Sequence, residues 1–85
     1  MNEYNLIVDR NVYRALRFIP KADYDRILQA IQQLSHNPRP AGSKKLKGRS
    51  GYRIRIGNYR VIYEINDRML IVKVIEAGHR KDIYE

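Results

Sequence analysis

The segment from Tyr52 to Ile65 constrains the fold more than any other part of the chain. Apolar and polar side chains alternate on both sides of a Gly57-Asn58 pair, and a β-strand places successive side chains on opposite faces. The pattern predicts two strands, Tyr52–Ile56 and Tyr59–Ile65, joined by a two-residue loop of the kind that closes a tight hairpin. The chain is therefore expected to build an antiparallel sheet.

The length of this loop also sets the register of the hairpin. With two residues in the turn, Arg55 lies opposite Arg60, and Arg53 lies opposite Ile62. The three arginines then share one face of the sheet. The other face is apolar enough to pack against helices, and its members are Tyr52, Ile54, Ile56, Tyr59, Val61 and Tyr63.

Placing Arg55 opposite Arg60 works against the stability of the sheet, because like charges that face each other across two strands repel. A guanidinium group matches two phosphate oxygens with two parallel hydrogen bonds, so three converging arginines favour an anion-binding site. The alternative is a solvated sheet face whose charges serve only solubility.

The residues before the hairpin predict one strand and two helices. Tyr4–Val8 alternates as a strand, and Asp9 can cap a helix that runs to about Phe18. Pro20 ends this helix and helps to start a second one, from Lys21 to His36. The apolar stripes at helical spacing are Val12, Leu16 and Ile19 in the first helix, and Tyr24, Ile27, Leu28, Ile31 and Leu34 in the second.

A loop, Pro38–Gly51, leads to the hairpin, and a last strand is expected at about Met69–Ala77. The order predicts an α+β fold with an N-terminal strand, two helices and a three-stranded antiparallel meander. The helices are expected to pack on one face of the sheet. A length of 85 residues predicts a single domain, residues 1–85.

The turn at Asn66-Asp67 leaves the position of the last strand open. If this turn also has two residues, Lys73 lies opposite Arg60 and joins the arginine cluster. Glu64 and Glu76 are the acids within these strands, and either one can pair with an arginine of the cluster.

The distribution of charge points to a polyanionic partner. The chain carries 17 Lys and Arg residues against nine acids, a net charge of +8, and no acid occurs between Arg26 and Tyr63. Nucleic acid is the first candidate, an acidic protein segment the second and a membrane surface the third, and the alternative is a solvated basic face. No apolar run approaches the roughly 18 residues of a membrane span. The absence of cysteine and of a signal-peptide pattern fits the cytoplasm.

The last residues carry further candidates. His79 can exchange a proton near neutral pH, or it can be an ordinary exposed histidine. Tyr84 can stack on a nucleic-acid base, or it can close the edge of the core. The residue types alone leave both questions open.

Three segments together resemble the RelE family of type II toxins. They are the loop KKLKG (Lys44–Gly48), the hairpin GYRIRIGNYRVIYEI (Gly51–Ile65) and the ending VIEAGHRKDIY (Val74–Tyr84). The resemblance implies a growth-arresting toxin that a cognate antitoxin neutralises. It also implies an endoribonuclease without metal or other cofactor, which cuts mRNA in the ribosomal A site. In that reaction the ribose 2′-hydroxyl attacks the adjacent phosphodiester and leaves a 2′,3′-cyclic phosphate and a 5′-hydroxyl.

The same resemblance assigns roles to individual residues. It places the basic pair of the first hairpin strand at Arg53 and Arg55, and the phosphate-binding arginine at Arg60. It gives leaving-group stabilisation to Arg80 and orientation of the RNA base to Tyr84. Lys45 and Lys47 match loop positions expected to touch ribosomal RNA. The full set expected to contact RNA or ribosome is Lys44, Lys45, Lys47, Arg49, Lys73 and Lys81.

The chain departs from its relatives at the hairpin pair, where they have lysine. Arg53 and Arg55 stay protonated at neutral pH, because the pKa of a guanidinium lies above about 12. They suit charge stabilisation and not proton abstraction, so the general base is left open. His79 gains weight as a proton donor, because some relatives use a histidine in the tail.

Three functions remain open at this point. The leading hypothesis is the ribosome-dependent mRNA endonuclease, and the alternative is a toxin of the ParE branch, which poisons DNA gyrase without nuclease residues. A non-enzymatic module that binds RNA or protein is the third. The expected partners are an antitoxin with an acidic or amphipathic segment, the ribosome and mRNA, while binding of the toxin–antitoxin complex to operator DNA is left open.

Overall fold

The computed structural model describes residues 3–79 and Lys81, and it has the expected α+β architecture. Five strands form one sheet in the order β1-β5-β4-β3-β2, in which β1 runs parallel to β5 and the other neighbours are antiparallel. In chain order the elements are β1 (Asn5–Val8), α1 (Arg10–Leu16), α2 (Lys21–Gln33), β2 (Lys44–Lys45), β3 (Tyr52–Ile56), β4 (Tyr59–Asn66) and β5 (Ile71–His79).

The two helices begin where the sequence predicts. The Asp9 carboxylate caps α1 and accepts a hydrogen bond from the Asn11 backbone N–H at 3.0 Å. Pro20 occupies the N-cap position of α2. Both helices end earlier than predicted, at Leu16 and Gln33, and turns follow them. Neither of these helices is long enough to cross a membrane.

The hairpin has the predicted register at every pair, including Arg55 opposite Arg60 and Arg53 opposite Ile62. Gly57 adopts a positive φ of 59°, which a tight two-residue turn requires and which a residue with a side chain rarely adopts. The apolar face of the hairpin packs against the helices. The buried residues of this core are Val12, Leu16, Ile27, Ile31, Leu34, Ile54, Val61, Tyr63, Val72, Val74 and Ala77.

Two features differ from the expectation, and both lie in connections. Lys44 and Lys45 form a short edge strand where the sequence predicted loop, since two exposed lysines show no alternation. The β4–β5 turn has four residues instead of two, because Asn66 pairs with Ile71. This longer turn places Lys73 opposite Glu64, so its predicted place opposite Arg60 is wrong. Further along, an irregularity between Ile62 and Tyr63 adds one residue to β5.

A polar cluster around Asp67 ties distant parts of the chain together. Arg39 donates two hydrogen bonds to the Asp67 carboxylate, at 3.1 and 2.8 Å, and the Tyr4 hydroxyl donates a third at 2.6 Å. Arg39 also lies over the Tyr52 ring, 5.2 Å from its centroid. The cluster joins the start of β1, the α2–β2 loop, β3 and the β4–β5 turn. Beside it, the buried Tyr63 hydroxyl donates to the Pro38 carbonyl at 2.7 Å, and burial raises the pKa of Tyr63 to about 12.

Asp67→Asn should remove part of the acid sensitivity of the fold. The hydrogen bonds from Arg39 first, and from Tyr4 second, lower the pKa of Asp67 from 3.8 to about 2. A lowered pKa stabilises the folded state at pH values above the unfolded pKa, and this contribution disappears as the pH falls from about 4 to about 2. Urea unfolding should show the variant less stable than the parent at pH 7 and the two nearly equal near pH 2. A constant difference over this range would contradict the assignment.

Candidate nucleic-acid interface

Arg53, Arg55 and Arg60 lie on the sheet face that points away from the helices, as predicted from the hairpin register. We call this surface the arginine face. Its cross-strand pairs include two of like charge, Arg55 with Arg60 and Lys44 with Arg53. On the other side of Arg60 the neighbour in β5 is Gly78, which adds no side chain to the surface.

The three arginines differ in their access to solvent. Arg55 is exposed, Arg60 is half-buried and Arg53 is only 5% exposed. Arg53 shares the face with the other two arginines, as the register predicted, but its side chain is buried. A ligand on this surface can reach Arg55 and Arg60, whereas Arg53 contributes positive charge from below.

The loop between β2 and β3 folds back onto the arginine face, on which Arg53 is buried. Ser50 donates a hydrogen bond to the Glu64 carboxylate at 3.1 Å, and Arg49 forms an ion pair with Glu76 at 3.6 Å. Leu46 is buried to 6% exposure in the same loop. Ile62 is completely buried although it lies on the face away from the helices.

The same loop provides partners for the two acids of the sheet, Glu64 and Glu76. Glu64 accepts from Ser50 and faces Lys73 across the strands, and Glu76 pairs with Arg49. Both acids were expected to be able to pair with an arginine of the cluster, and their partners here include the loop. Arg49, expected to contact RNA, therefore also helps to hold the loop on this face.

The remaining basic candidates surround this surface. Lys44, Lys45, Lys47 and Lys81 are exposed. A cavity of about 470 Å³ opens where β3 begins, with Lys45 and Lys73 on its wall beside Tyr52 and Ile65. Exposed lysines around two accessible arginines can attract a phosphate backbone over a distance and orient it.

His79 lies on the other side of the sheet from the arginine face. It pairs with Tyr59, whose ring it meets edge-on at 5.7 Å, and the Tyr59 hydroxyl donates to Asp23 of α2 at 3.4 Å. Burial first and Asp23 second raise the pKa of Tyr59. The Nδ1 atom of His79 accepts a hydrogen bond from the Lys81 backbone N–H at 3.2 Å. Its imidazole is therefore not brought together with Arg55 and Arg60.

Two of the candidates, Arg80 and Tyr84, lie outside the described residues. Within residues 3–79 and Lys81, no three His, Cys, Asp or Glu side chains lie close enough to hold a metal ion. The contribution of the β2–β3 loop to the site was missed. Its only signal in the sequence was the apolar Leu46 among charged and small residues.

The geometry can be compared with known proteins. A model of the family described as the ParE toxin of type II toxin–antitoxin systems matches residues 7–84. The toxin named RelE1 of Methanocaldococcus jannaschii is 32% identical over 79 residues, which cover 86% of this chain and 88% of that protein. The chain belongs to the RelE/ParE superfamily of type II toxins.

Solved structures of RelE/ParE toxins agree with this assignment. The archaeal RelE–RelB complex of Pyrococcus horikoshii contains a chain that is 32% identical, with a TM-score of 0.82, and the match covers 98% of this chain and all of that one. In the RelB–RelE antitoxin–toxin complex of Methanococcus jannaschii the matching chain is 29% identical, with a TM-score of 0.72, and the match covers 92% of this chain and 94% of that one. The superfamily fold thus extends over nearly the whole chain.

Arg53→Ala and Arg55→Ala should separate the structural arginine from the accessible one. Arg53→Ala removes a side chain that is 5% exposed and should lower the free energy of unfolding by about 1–3 kcal/mol. Arg55→Ala removes an exposed side chain and should change it by less than about 0.5 kcal/mol. Urea denaturation of both variants provides the measurement, and equal losses would contradict the difference in burial.

Proposed function

We propose that this toxin is a ribosome-dependent endoribonuclease that cuts mRNA in the ribosomal A site without a metal ion, and so inhibits translation. The observation that carries the proposal is the like-charge pair of Arg55 and Arg60, held opposite each other on a sheet face that packs against neither helix. Such a pair is costly for the sheet and suited to a phosphate group. The relatives that carry the RelE name support this branch of the superfamily over the ParE branch.

The proposed reaction is an attack of the ribose 2′-hydroxyl oxygen on the adjacent phosphorus, in which the hydroxyl proton passes to a base supplied by the ribosome or by solvent. The new P–O bond closes a 2′,3′-cyclic phosphate, and the bond to the 5′-oxygen breaks and leaves a 5′-hydroxyl. The phosphorane that forms on the way carries additional negative charge. The guanidinium groups of Arg55 and Arg60 carry permanent positive charge, and they stabilise this negative charge as it develops.

Proton transfer is assigned elsewhere. Arg55 and Arg60 remain protonated, so we give them charge stabilisation and not the role of general base. By resemblance, Arg80 stabilises or protonates the leaving 5′-oxygen, and Tyr84 orients the RNA base. The exposed loop lysines, Lys44, Lys45 and Lys47, are assigned to ribosomal RNA.

Replacement of Arg60 by alanine is the most direct test. After brief induction in cells, 5′-end mapping should show mRNAs cut within codons for the parent chain. Arg60→Ala should cut at least about 100-fold more slowly, because loss of one group that stabilises a transition-state charge costs about that much. Arg68→Ala removes an exposed arginine in the β4–β5 turn and should retain activity. Growth arrest with intact mRNAs would contradict the proposal.

Two further observations, of cell morphology and of the toxicity of Arg80→Ala, separate the competing functions. A gyrase poison would cause filamentation and DNA damage without a fall in translation. A non-enzymatic binding module would retain toxicity when Arg80 is replaced by alanine, whereas the nuclease should lose it. Either outcome would assign this superfamily member to another activity.

We infer that His79 acts by positioning the tail and not by donating a proton. Its Nδ1 atom accepts from the N–H of Lys81, so this hydrogen bond spans Arg80, the proposed leaving-group residue. Asparagine accepts a hydrogen bond from the N–H two residues further along and has no proton to exchange. His79→Asn should therefore keep most of the cleavage rate and the parental pH profile, while His79→Ala should lose about tenfold. Equal loss in both variants, with a pH profile that loses one ionisation, would favour the proton donor.

An antitoxin is the expected partner. The solved relatives from Pyrococcus horikoshii and Methanococcus jannaschii are complexes of RelE with RelB. A net charge of +8 favours an antitoxin with an acidic or amphipathic segment that covers the basic surface. The proposed partners, the ribosome and mRNA, imply that the toxin acts in the cytoplasm. We also propose that the toxin–antitoxin complex binds operator DNA.

A further inference from the structure

The outer side of α1 carries a row of arginines that the proposed reaction does not use. Arg10, Arg14 and Arg17 are spaced by four and three residues, and all three are exposed. Val12 and Leu16 of the same helix are buried against the sheet. At about 100° per residue, the arginines lie on the opposite side of α1 from these two and point away from the molecule.

This row is not balanced by acids. No Asp or Glu occurs between Arg10 and Ala22, and the carboxylate of Asp9 is engaged in capping α1. Within residues 3–79 and Lys81, the ion pairs involve other basic residues. The row therefore presents uncompensated positive charge.

The arrangement works against the helix that carries it. Like charges three or four residues apart destabilise a helix by roughly 0.2–0.5 kcal/mol per pair. The helix dipole disfavours Arg10 in the first turn of α1 and favours Arg14 in the last turn, so it does not offset the repulsion between neighbouring arginines. In a helix of seven residues this repulsion matters, and a face that served only solubility would avoid it by including acids.

An exposed aromatic ring extends the row. Phe18 is 84% exposed just beyond α1, and the Arg17 guanidinium lies 5.6 Å from the centroid of its ring. Unpaired bases stack on exposed aromatic rings, and a neighbouring guanidinium adds attraction to both the ring and a phosphate. Arg10, Arg14, Arg17 and Phe18 form what we call the α1 ridge.

We propose that the α1 ridge is a second RNA-binding surface, which holds structured RNA with unpaired bases while the arginine face holds the strand to be cut. A purely acidic peptide would use the arginines and leave Phe18 without a role, and the amphipathic antitoxin segment is assigned to the basic surface around the arginine face. A membrane would find only Phe18 and the Tyr13 ring to insert, because Val12 and Leu16 of α1 pack on the sheet. The ridge and the arginine face point to opposite sides of the sheet. This inference rests on the proposed function in one respect, which is that the bound RNA is ribosomal RNA.

The test measures binding without cleavage, in the Arg60→Ala chain. The probe is a fluorescent RNA hairpin with an unpaired 3′ tail, and anisotropy gives Kd over a range of KCl concentrations. Arg14→Gln should weaken binding about three- to tenfold and reduce the slope of log Kd against log salt by about 1, as expected for one lost phosphate contact. Arg68→Gln, which removes another exposed arginine, should change neither quantity.

Phe18→Ala provides the second arm, with Met69→Ala as the matched loss of an exposed apolar side chain, 64% exposed. Phe18→Ala should weaken binding of the tailed hairpin at least about fivefold and leave a blunt RNA duplex unaffected, because only unpaired bases stack on the ring. Met69→Ala should behave as the parent on both probes.

The inference is overturned if the Arg14→Gln and Arg68→Gln chains bind RNA with the same Kd. It is also overturned if Arg14→Gln weakens the binding of polyglutamate and leaves the binding of RNA unchanged. These outcomes are independent of the nuclease. Loss of RNA binding in Arg14→Gln, combined with an Arg60→Ala toxin that still arrests growth, would uphold the ridge and reject the proposed function. Intact RNA binding in Arg14→Gln, with no cleavage by Arg60→Ala, would do the reverse.

Discussion

The register of the β3–β4 hairpin is the constraint on which the rest of the molecule depends. A two-residue turn at Gly57-Asn58 allows one alignment of the strands, and this alignment decides which side chains enter the core. A shift by one residue would turn Tyr63 and Val61 out to solvent and drive arginines under the helices. The burial of the apolar face therefore pays for the repulsion between Arg55 and Arg60, because the alignment that gives one imposes the other.

The loop between β2 and β3 lies on part of the arginine face and reduces the surface that a ligand can reach. Contacts of Ser50 with Glu64 and of Arg49 with Glu76 hold the loop on this face, where Ile62 is completely buried and Arg53 is 5% exposed. What remains accessible is a narrower surface around Arg55 and Arg60. The two acids within these strands are engaged by the loop, Glu76 by a residue whose charge suggested a contact with RNA.

Local patterns predicted the elements with strong periodicity and failed where geometry depends on partners. The hairpin register, the capping by Asp9 and the apolar stripes of both helices follow from short-range rules, and the structure has them except for Leu28, which lies outside the core cluster. The four-residue turn before β5 could not be predicted, because Asn66-Asp67 suits both lengths. The burial of Arg53 and the pairing of Lys44–Lys45 as an edge strand depend on contacts between residues that are distant in the sequence, and alternation and propensity do not encode such contacts.

The extra residue in β5 has a consequence for how that strand serves two surfaces. Before the irregularity, Lys73 lies opposite Glu64 on the side of the sheet that carries the arginine face. After it, Glu76 and Gly78 lie on that side, opposite Ile62 and Arg60, and Ala77 lies in the core. An uninterrupted strand would exchange these roles. It would press the Glu76 carboxylate beneath the helices and place Ala77 opposite Arg60, with His79 on the arginine face. One inserted residue thus keeps a carboxylate out of the core and leaves the space next to Arg60 to a glycine.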